Sequence, residues 1–415
     1  MSDLRLLFAT RSLRLFAYGF LAVVLVLYLA ALGVPEWRIG LLLTLILAGD
    51  ASVSLWITTR ADRIGRRRML LLGAGLMVGA GLAFAFTRDF YVLLVAGVLG
   101  VISPSGYEVG PFLAIEQAAL AHVVPDHDRT RLFAWYNLSG SLATALGSLA
   151  GGWLSLKIGM LAGSELAGYR AVVVGYALIG LVLAAFFWRL SPSVEVRPDD
   201  RSDDRLTVPR LGLTESRGVV ARLSALFALD AFGGGFVVQS LMAYWFHVRF
   251  GMDAAALGTL FFGANVLAAL SSLAAVWIAK RIGLVNTMVF THLPSNILLI
   301  LVPLMPDATS AIVVLLVRFS ISQMDVPTRQ SYTVAVVKPS ERSAAAGITN
   351  IARSLGAASA PMLAGPLLAA VAVAGAPVLL VGAPFFLAGG IKIAYDLALW
   401  HQFRAVKPPE EQQTS

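Results

Sequence analysis

Several ionisable residues stand inside stretches that are otherwise almost wholly apolar. Asp50 lies among Leu, Ile and Ala in the run 39–59. Such a residue is costly in lipid and marks a functional position by default. A carboxylate that alternates between charged and neutral forms can carry a proton. The alternative for Asp50 is a hydrogen bond that fixes one helix to another. Glu108 and Glu116 stand eight residues apart in the run 90–121, on similar sides of a helix and two turns apart. Glu108 falls near mid-depth. Glu116 falls nearer one end, where a gating role competes. Arg318, Ser322, Asp325, Arg329 and Tyr332 follow spacings of four, three, four and three in the run 309–337, with Gln323 beside them. That is one polar face of a helix, and it suits a wet cavity wall. Asp325 and Arg329 also suit each other as an i,i+4 pair.

Other chemistries lack their residues. There is no cysteine, which removes disulfides and thiolate sites together. His122, His127, His247, His292 and His401 form no metal-ligand spacing. Neither a G-x-x-x-x-G-K-[ST] phosphate loop nor a hydrolase motif at membrane depth is present. No cofactor and no enzymatic activity are expected.

The elements that must position these residues are membrane helices. The chain has 415 residues, 58% hydrophobic and only 13% charged, against about 25% charged in a soluble domain. Stretches long enough to span a bilayer run over 12–32, 39–59, 68–87, 90–121, 131–156, 169–189, 221–247, 255–279, 284–304, 309–337, 343–372 and 376–400. The expected fold is an all-α integral membrane protein of twelve transmembrane helices. Pro104, Gly106, Gly110 and Pro111 predict one bent helix over 90–121, since breaks are tolerated where protein or a cavity covers the backbone.

Basic residues fix the orientation. Arg60, Arg63, Arg66, Arg67 and Arg68 follow the second span, and Arg197, Arg201, Arg205, Arg210 and Arg217 follow the sixth. The opposite loops hold only Arg38, Arg88, Lys157, Arg170 and Arg249. Both termini are expected in the cytoplasm. The net charge of +8 is then a topology signal and not a nucleic-acid surface. The first apolar run has no convincing cleavage site after it, so it reads as a retained helix. Residues 191–220, with Pro192, Pro198 and Pro209, read as a cytoplasmic linker. The linker separates six-helix bundles at 1–190 and 221–403, and 404–415 is a tail.

The second half repeats the first. Gly33 leading to Ile39–Gly40 recurs as Gly251 leading to Leu257–Gly258. Arg63–Ile64–Gly65 recurs at the same offset as Arg281–Ile282–Gly283, and Arg129 and Asn137 recur as Arg342 and Asn350. Self-similarity of this kind is the sign of a duplicated unit. Two such halves suggest alternating access, with the solute bound near mid-depth.

The loop Asp62–Arg63–Ile64–Gly65–Arg66–Arg67 resembles the signature of the major facilitator superfamily (MFS), roughly G-x-x-x-D-R-x-G-R-[RK]. Thr58 stands where the leading glycine is usual, and Lys280–Arg281–Ile282–Gly283 is the degenerate second copy. The resemblance implies an MFS fold of two pseudo-symmetric six-helix bundles. It implies a cavity lined by the first, fourth, seventh and tenth helices, which adds Asp230 and Gln239 to Glu108, Arg318, Gln323, Asp325, Arg329 and Tyr332. It implies a cytoplasmic gate, to which we assign Asp62, Arg63, Gly65, Arg66, Glu116, Arg129 and Arg342. Gly147–Ser148–Leu149–Ala150–Gly151–Gly152 resembles the antiporter motif of drug exporters, and close packing of small residues also explains it.

The expected function is secondary active transport of a small organic solute, proton-coupled, with export favoured. The setting is the cytoplasmic membrane, and the partners are the substrate, protons and the lipid bilayer, with the chain a monomer. Organic-anion uptake, divalent-cation export and a lipid-translocating or other non-transporting membrane protein are the alternatives.

Overall fold

A computed structural model of the chain describes residues 3–108, 110–123, 126–195, 213, 215–338, 341–373 and 375–406. Most of the expected linker and tail lies outside the described residues. Every regular element among the described residues is helical. Eight helices are long and apolar enough to cross a membrane, or nine with the bent pair Asp3–Ala22 and Leu25–Ala31. The remaining three spans complete the twelve. They are the fourth (Phe90–Leu99 and Phe112–Val123), the tenth (Ala308–Phe319 and Asp325–Ala335) and the twelfth, chiefly Ala383–Phe403. Large apolar side chains on the helices stand open to lipid: Phe86, Leu161 and Leu379 are 77%, 85% and 74% exposed. Apolar surface of that extent belongs against hydrocarbon chains.

The fourth span is not one bent helix. Residues 100–108, 110 and 111 are unwound between its two halves. Gly106 and Gly110 take positive φ, 74° and 82°, and prolines at 104 and 111 cannot donate to a helix ladder. The freed carbonyls are answered from neighbours, as lipid demands. Ser103 Oγ donates to Tyr107 O at 2.7 Å, Ser240 N to Pro104 O at 3.1 Å, and the Tyr176 hydroxyl to Val101 O. The seventh span breaks after Gly235, next to its three glycines, and resumes at Gln239. The tenth breaks between Phe319 and Asp325, so the polar stripe read from the sequence runs over two helices.

The repeat is visible in the backbone. Gly33 and Gly251, paired by sequence, have φ of 83° and 68°. Gly65 and Gly283, the other pair, have 121° and 84°. Side chains rarely adopt this region, so glycine is required at both copies of both turns.

By internal packing the chain forms two compact units, Met1–Asp203 with Val238–Asn265, and Asp204–Val237 with Val266–Ser415. Residues 238–265 thus follow the linker yet belong with the first unit. Glycine explains the fit there. A Cβ on Gly152 would lie 2.2 Å from Ala254 O, and one on Gly258 would lie 2.6 Å from Ser148 O. On the other side of the fifth span, Gly147 and Gly151 would meet Phe16 O and Phe20 O at 2.0 and 2.2 Å. The antiporter-like motif is therefore a packing seam on both faces. Within the second unit, Gly356 abuts Ala228 O in the same way, at 2.2 Å.

Adding a methyl at such a seam forces backbone apart. Gly151→Ala and Gly356→Ala should each destabilise the protein by about 1–3 kcal/mol. Gly390→Ala, where nothing lies within 4 Å of the new atom, should not. Thermal unfolding of the purified variants reads the difference.

Candidate functional site

Each unit holds one buried network of charged side chains. In the first, Arg14 is wholly buried and lies between two carboxylates. Its NH1 and NH2 donate to the two oxygens of Glu116, each at 2.8 Å, and its Nε donates to Glu108 at 2.9 Å. Arg11, one turn earlier, reaches Glu108 at 2.8 Å, Tyr136 O at 2.9 Å and Asn137 Oδ1 at 3.1 Å. Thr10 and the Tyr136 hydroxyl complete Glu116. Two guanidinium groups meet two carboxylates, so the cluster is neutral. The unwound segment of the fourth span is what lets Glu108 and Glu116 converge on one helix turn of the first span.

Asp50 stands near this network but outside its pairing. Its carboxylate accepts the Ser54 hydroxyl at 3.4 Å and the Gly110 backbone N–H. No cation pairs with it among the described residues. Gln239 also lies in the first unit. Its amide donates to Ser148 Oγ at 3.2 Å and accepts from Asn265 at 3.1 Å, beside Gly106. This buried cluster is uncharged.

In the second unit Asp230 is the hub. Lys392 donates to its Oδ1 at 2.6 Å, and Arg329 and Arg353 donate to its Oδ2, both at 3.2 Å. Arg329 also holds Asp325 at 2.8 Å, so the i,i+4 pair exists and is shared with Asp230. Four spans therefore contribute to one network: the seventh, tenth, eleventh and twelfth. The ninth adds His292, whose Nδ1 lies 2.8 Å from Asp396, while Asn296 donates to the other Asp396 oxygen at 2.8 Å. Lys392 and Asp396, an i,i+4 pair in sequence, turn to different partners. Arg318 is buried with its guanidinium 4.8 Å from the Phe319 ring centre. The backbone N of Gln323 donates to Ser271. Tyr332 leaves the stripe, packs among Phe227, Met288 and Phe403 and donates to Val406 O at 3.0 Å.

The signature loop forms a third group. Gly65 turns the chain, and Glu195 caps the helix that follows by accepting Arg66 N at 2.7 Å and Arg67 N at 3.1 Å. A carboxylate at a helix N-terminus meets both free N–H groups and the dipole. Asp62 does not supply that cap; it pairs with Arg66 at 2.7 Å and is 68% exposed. Arg63 is exposed. Arg342 is exposed too and donates to Val334 O at 3.0 Å. The side chain of Arg129 lies outside the described residues. Glu116, which the sequence associates with this gate, sits instead with Arg14.

Sequence reasoning missed Arg11, Arg14, His292 and Asn296 as site residues, and it reads Lys392 and Asp396 only as a structural i,i+4 pair on a peripheral helix. Arg11 and Arg14 stand at the start of the first apolar run, where basic residues commonly flank a span. Their signal was spacing, since residues three apart within a helix share one face.

An apolar groove of about 510 Å³, lined by Gly75, Gly79, Ala80, Val95, Ala96 and Leu99 among others, contains none of these charged residues.

Residues 7–361 match the profile of the Major Facilitator Superfamily. The chain belongs to that superfamily. It is a multi-pass membrane transporter, not an enzyme. It is 33% identical over 392 residues to the uncharacterised membrane protein YJR124C of Saccharomyces cerevisiae, covering 88% of each chain. It is 25% identical over 232 residues to the purine ribonucleoside efflux pump NepI of Escherichia coli O127:H6, covering 56% of this chain and 54% of that one. A crystallised mutant of the nucleoside transporter NupG superposes with a TM-score of 0.78 at 13% identity, over 97% of this chain and 100% of that one. At that identity the likeness is one of fold.

The MFS scaffold makes the burial of Glu116 testable. Removing one partner of a buried pair leaves the other charge uncompensated and costs about 3–5 kcal/mol, so Glu116→Ala should unfold well below the parent protein. Asp62→Asn, at an exposed pair, should change stability by less than about 1 kcal/mol. Thermal or denaturant unfolding in detergent compares them.

Proposed function

We propose that this MFS protein exports a neutral, hydroxyl-bearing solute of the nucleoside class in exchange for protons, by alternating access. Asp50 carries the proton. The single observation behind this reading is that Asp50, a carboxylate at membrane depth, has no cationic partner among the described residues. Of the other membrane carboxylates of the networks, Glu108, Glu116, Asp230 and Asp325 are paired with Arg or Lys, and Asp396 is held by His292 and Asn296. A paired carboxylate stays charged and fixed. One held only by a hydroxyl and a backbone N–H is free to change its protonation as access alternates.

The same bookkeeping of charge supports a neutral substrate. Arg329 is already compensated by Asp230 and Asp325, which weighs against organic-anion uptake through it. Among the described residues no group of three or more His, Asp or Glu is arranged to hold a metal ion, which weighs against divalent-cation export. A solute rich in hydroxyl groups needs uncharged donors and acceptors. Gln239, Asn265 and Ser148 are of that kind. The name of the relative NepI, a purine ribonucleoside efflux pump, agrees in both substrate class and direction. The arginines around Arg63 and Arg66 support a cytoplasmic signature loop and cytoplasmic termini in the cell membrane.

Proteoliposomes and a panel of labelled purine nucleosides test the reading. The parent protein should drive at least one nucleoside along an imposed pH gradient, and Asp50→Asn should lose that drive by tenfold or more. Equilibrium exchange, which moves no net proton, should persist. An Asp50→Asn protein that still responds to the gradient removes Asp50 from the coupling. A panel in which no nucleoside moves removes the substrate class.

A further inference from the structure

We propose that His292 is a second proton-binding residue, built into the second unit and independent of Asp50. The imidazole is buried in the ninth span, 4% exposed, and set between two carboxylates. Its Nδ1 is 2.8 Å from Asp396 Oδ1, and its Nε2 is 3.8 Å from Asp230 Oδ1.

The contacts of the ring bear on which nitrogen carries the hydrogen. At 2.8 Å, Nδ1 and a carboxylate oxygen are within hydrogen-bond range. Nδ1 has two polar neighbours, Asp396 Oδ1 at 2.8 Å and Asn296 Nδ2 at 3.1 Å; we take Nδ1 as the donor to the closer of the two, an ionised carboxylate that only accepts. Asn296 occupies the second Asp396 oxygen with its own amide and so leaves the first for the imidazole. With its hydrogen on Nδ1, neutral His292 places an acceptor, Nε2, 3.8 Å from an oxygen of Asp230. A proton on Nε2 turns that contact into an attraction. Histidine is the side chain whose ordinary titration falls between about pH 5 and 8.

Every charged group around the ring bears on this step. From the seventh span comes Asp230. From the twelfth come Asp396 and Lys392, with the Tyr395 ring edge-on at 6.0 Å. From the tenth come Arg329 and Asp325, and Arg318 on the helix before them, which also packs on the ninth span. From the eleventh comes Arg353, through Asp230. The carboxylates of Asp230, Asp325 and Asp396 already face the charges of Lys392, Arg329, Arg353 and Arg318 when His292 is neutral. A proton on Nε2 adds one positive charge beside Asp230, which already holds three cations. Arg353 is the most exposed of the three, 30% against 8% for Arg329 and 10% for Lys392. It is therefore the one whose hold on Asp230 is given up at least cost, because water can take it. Protonation of the ninth span thus resets which helices share the Asp230 charge.

Nitrogen-15 NMR of histidine-labelled protein in lipid nanodiscs reads this without any transported solute. His292→Gln serves only to assign the resonance among the five histidines. The expected result is a hydrogen on Nδ1 alone at about pH 8.5 and a second proton on Nε2 by about pH 5. In Asp230→Asn protein the second proton should no longer be gained by that pH. A neutral ring with its hydrogen on Nε2, a ring still neutral at about pH 5, or an Asp230→Asn titration identical to the parent would overturn the proposal. Because no transport is measured, any of these leaves the reading of Asp50 untouched.

Discussion

The constraint on which the rest depends is that charges inside lipid-spanning helices must be compensated by the protein itself. Arg14 shows how completely this is done. It is fully buried, and four of its contacts go to the oxygens of Glu108 and Glu116. Bringing both carboxylates to one guanidinium requires the fourth span to unwind. Unwinding in turn requires Gly106, Gly110 and the flanking prolines. The hydroxyls and amides that answer the freed carbonyls follow from the same demand. So a single electrostatic requirement accounts for the local backbone, for its sequence and for the partners on the first, fifth, sixth and seventh spans.

The duplicated halves meet that requirement with opposite polarity. In the first unit the cations come from the first span, at Arg11 and Arg14, and the carboxylates from the fourth. In the second unit the hub carboxylate, Asp230, comes from the seventh span, and its tenth-span partner is the cation Arg329. At the offset that relates Arg129 to Arg342 and Asn137 to Asn350, Glu116 corresponds to Arg329, one an acceptor and one a donor. The scaffold keeps the place of the network and exchanges its signs. The second network is also richer, drawing in Arg353, Lys392 and His292. That supports a division of labour in which the first unit keeps a lone titratable carboxylate and the second keeps a charge hub with an adjustable imidazole.

Much of the fold was legible in the sequence. Long apolar runs and the low charge content specify membrane helices, and the paired glycines 33/251 and 65/283 announce the duplication before any coordinates. The site was less legible, for a physical reason. Periodicity says which residues share a face of one helix, but not which face of another helix comes opposite. Lys392 and Asp396 share a face and look like a pair. In the structure each answers a residue on another span, because Asp230 and His292 offer partners in better-buried positions. Arg14 stands at the start of the first apolar run, and the positive-inside rule counts such basic residues without seeing the carboxylates that draw them inward. The signature loop shows the same limit: Asp62 has the chemistry of a helix cap, yet Glu195, far away in sequence, provides it.

The central claim is that compensated networks leave a neutral solute and one mobile proton as the transported species. It is tested most directly by the proton movement that the solute itself drives. Vesicles containing the protein and an internal pH-sensitive dye are loaded with a transported nucleoside and diluted into nucleoside-free medium at the same pH. Outward solute flux should pull protons in and acidify the interior, and a protonophore should abolish the signal. A nucleoside that leaves through the protein while the internal pH stays constant would contradict the account.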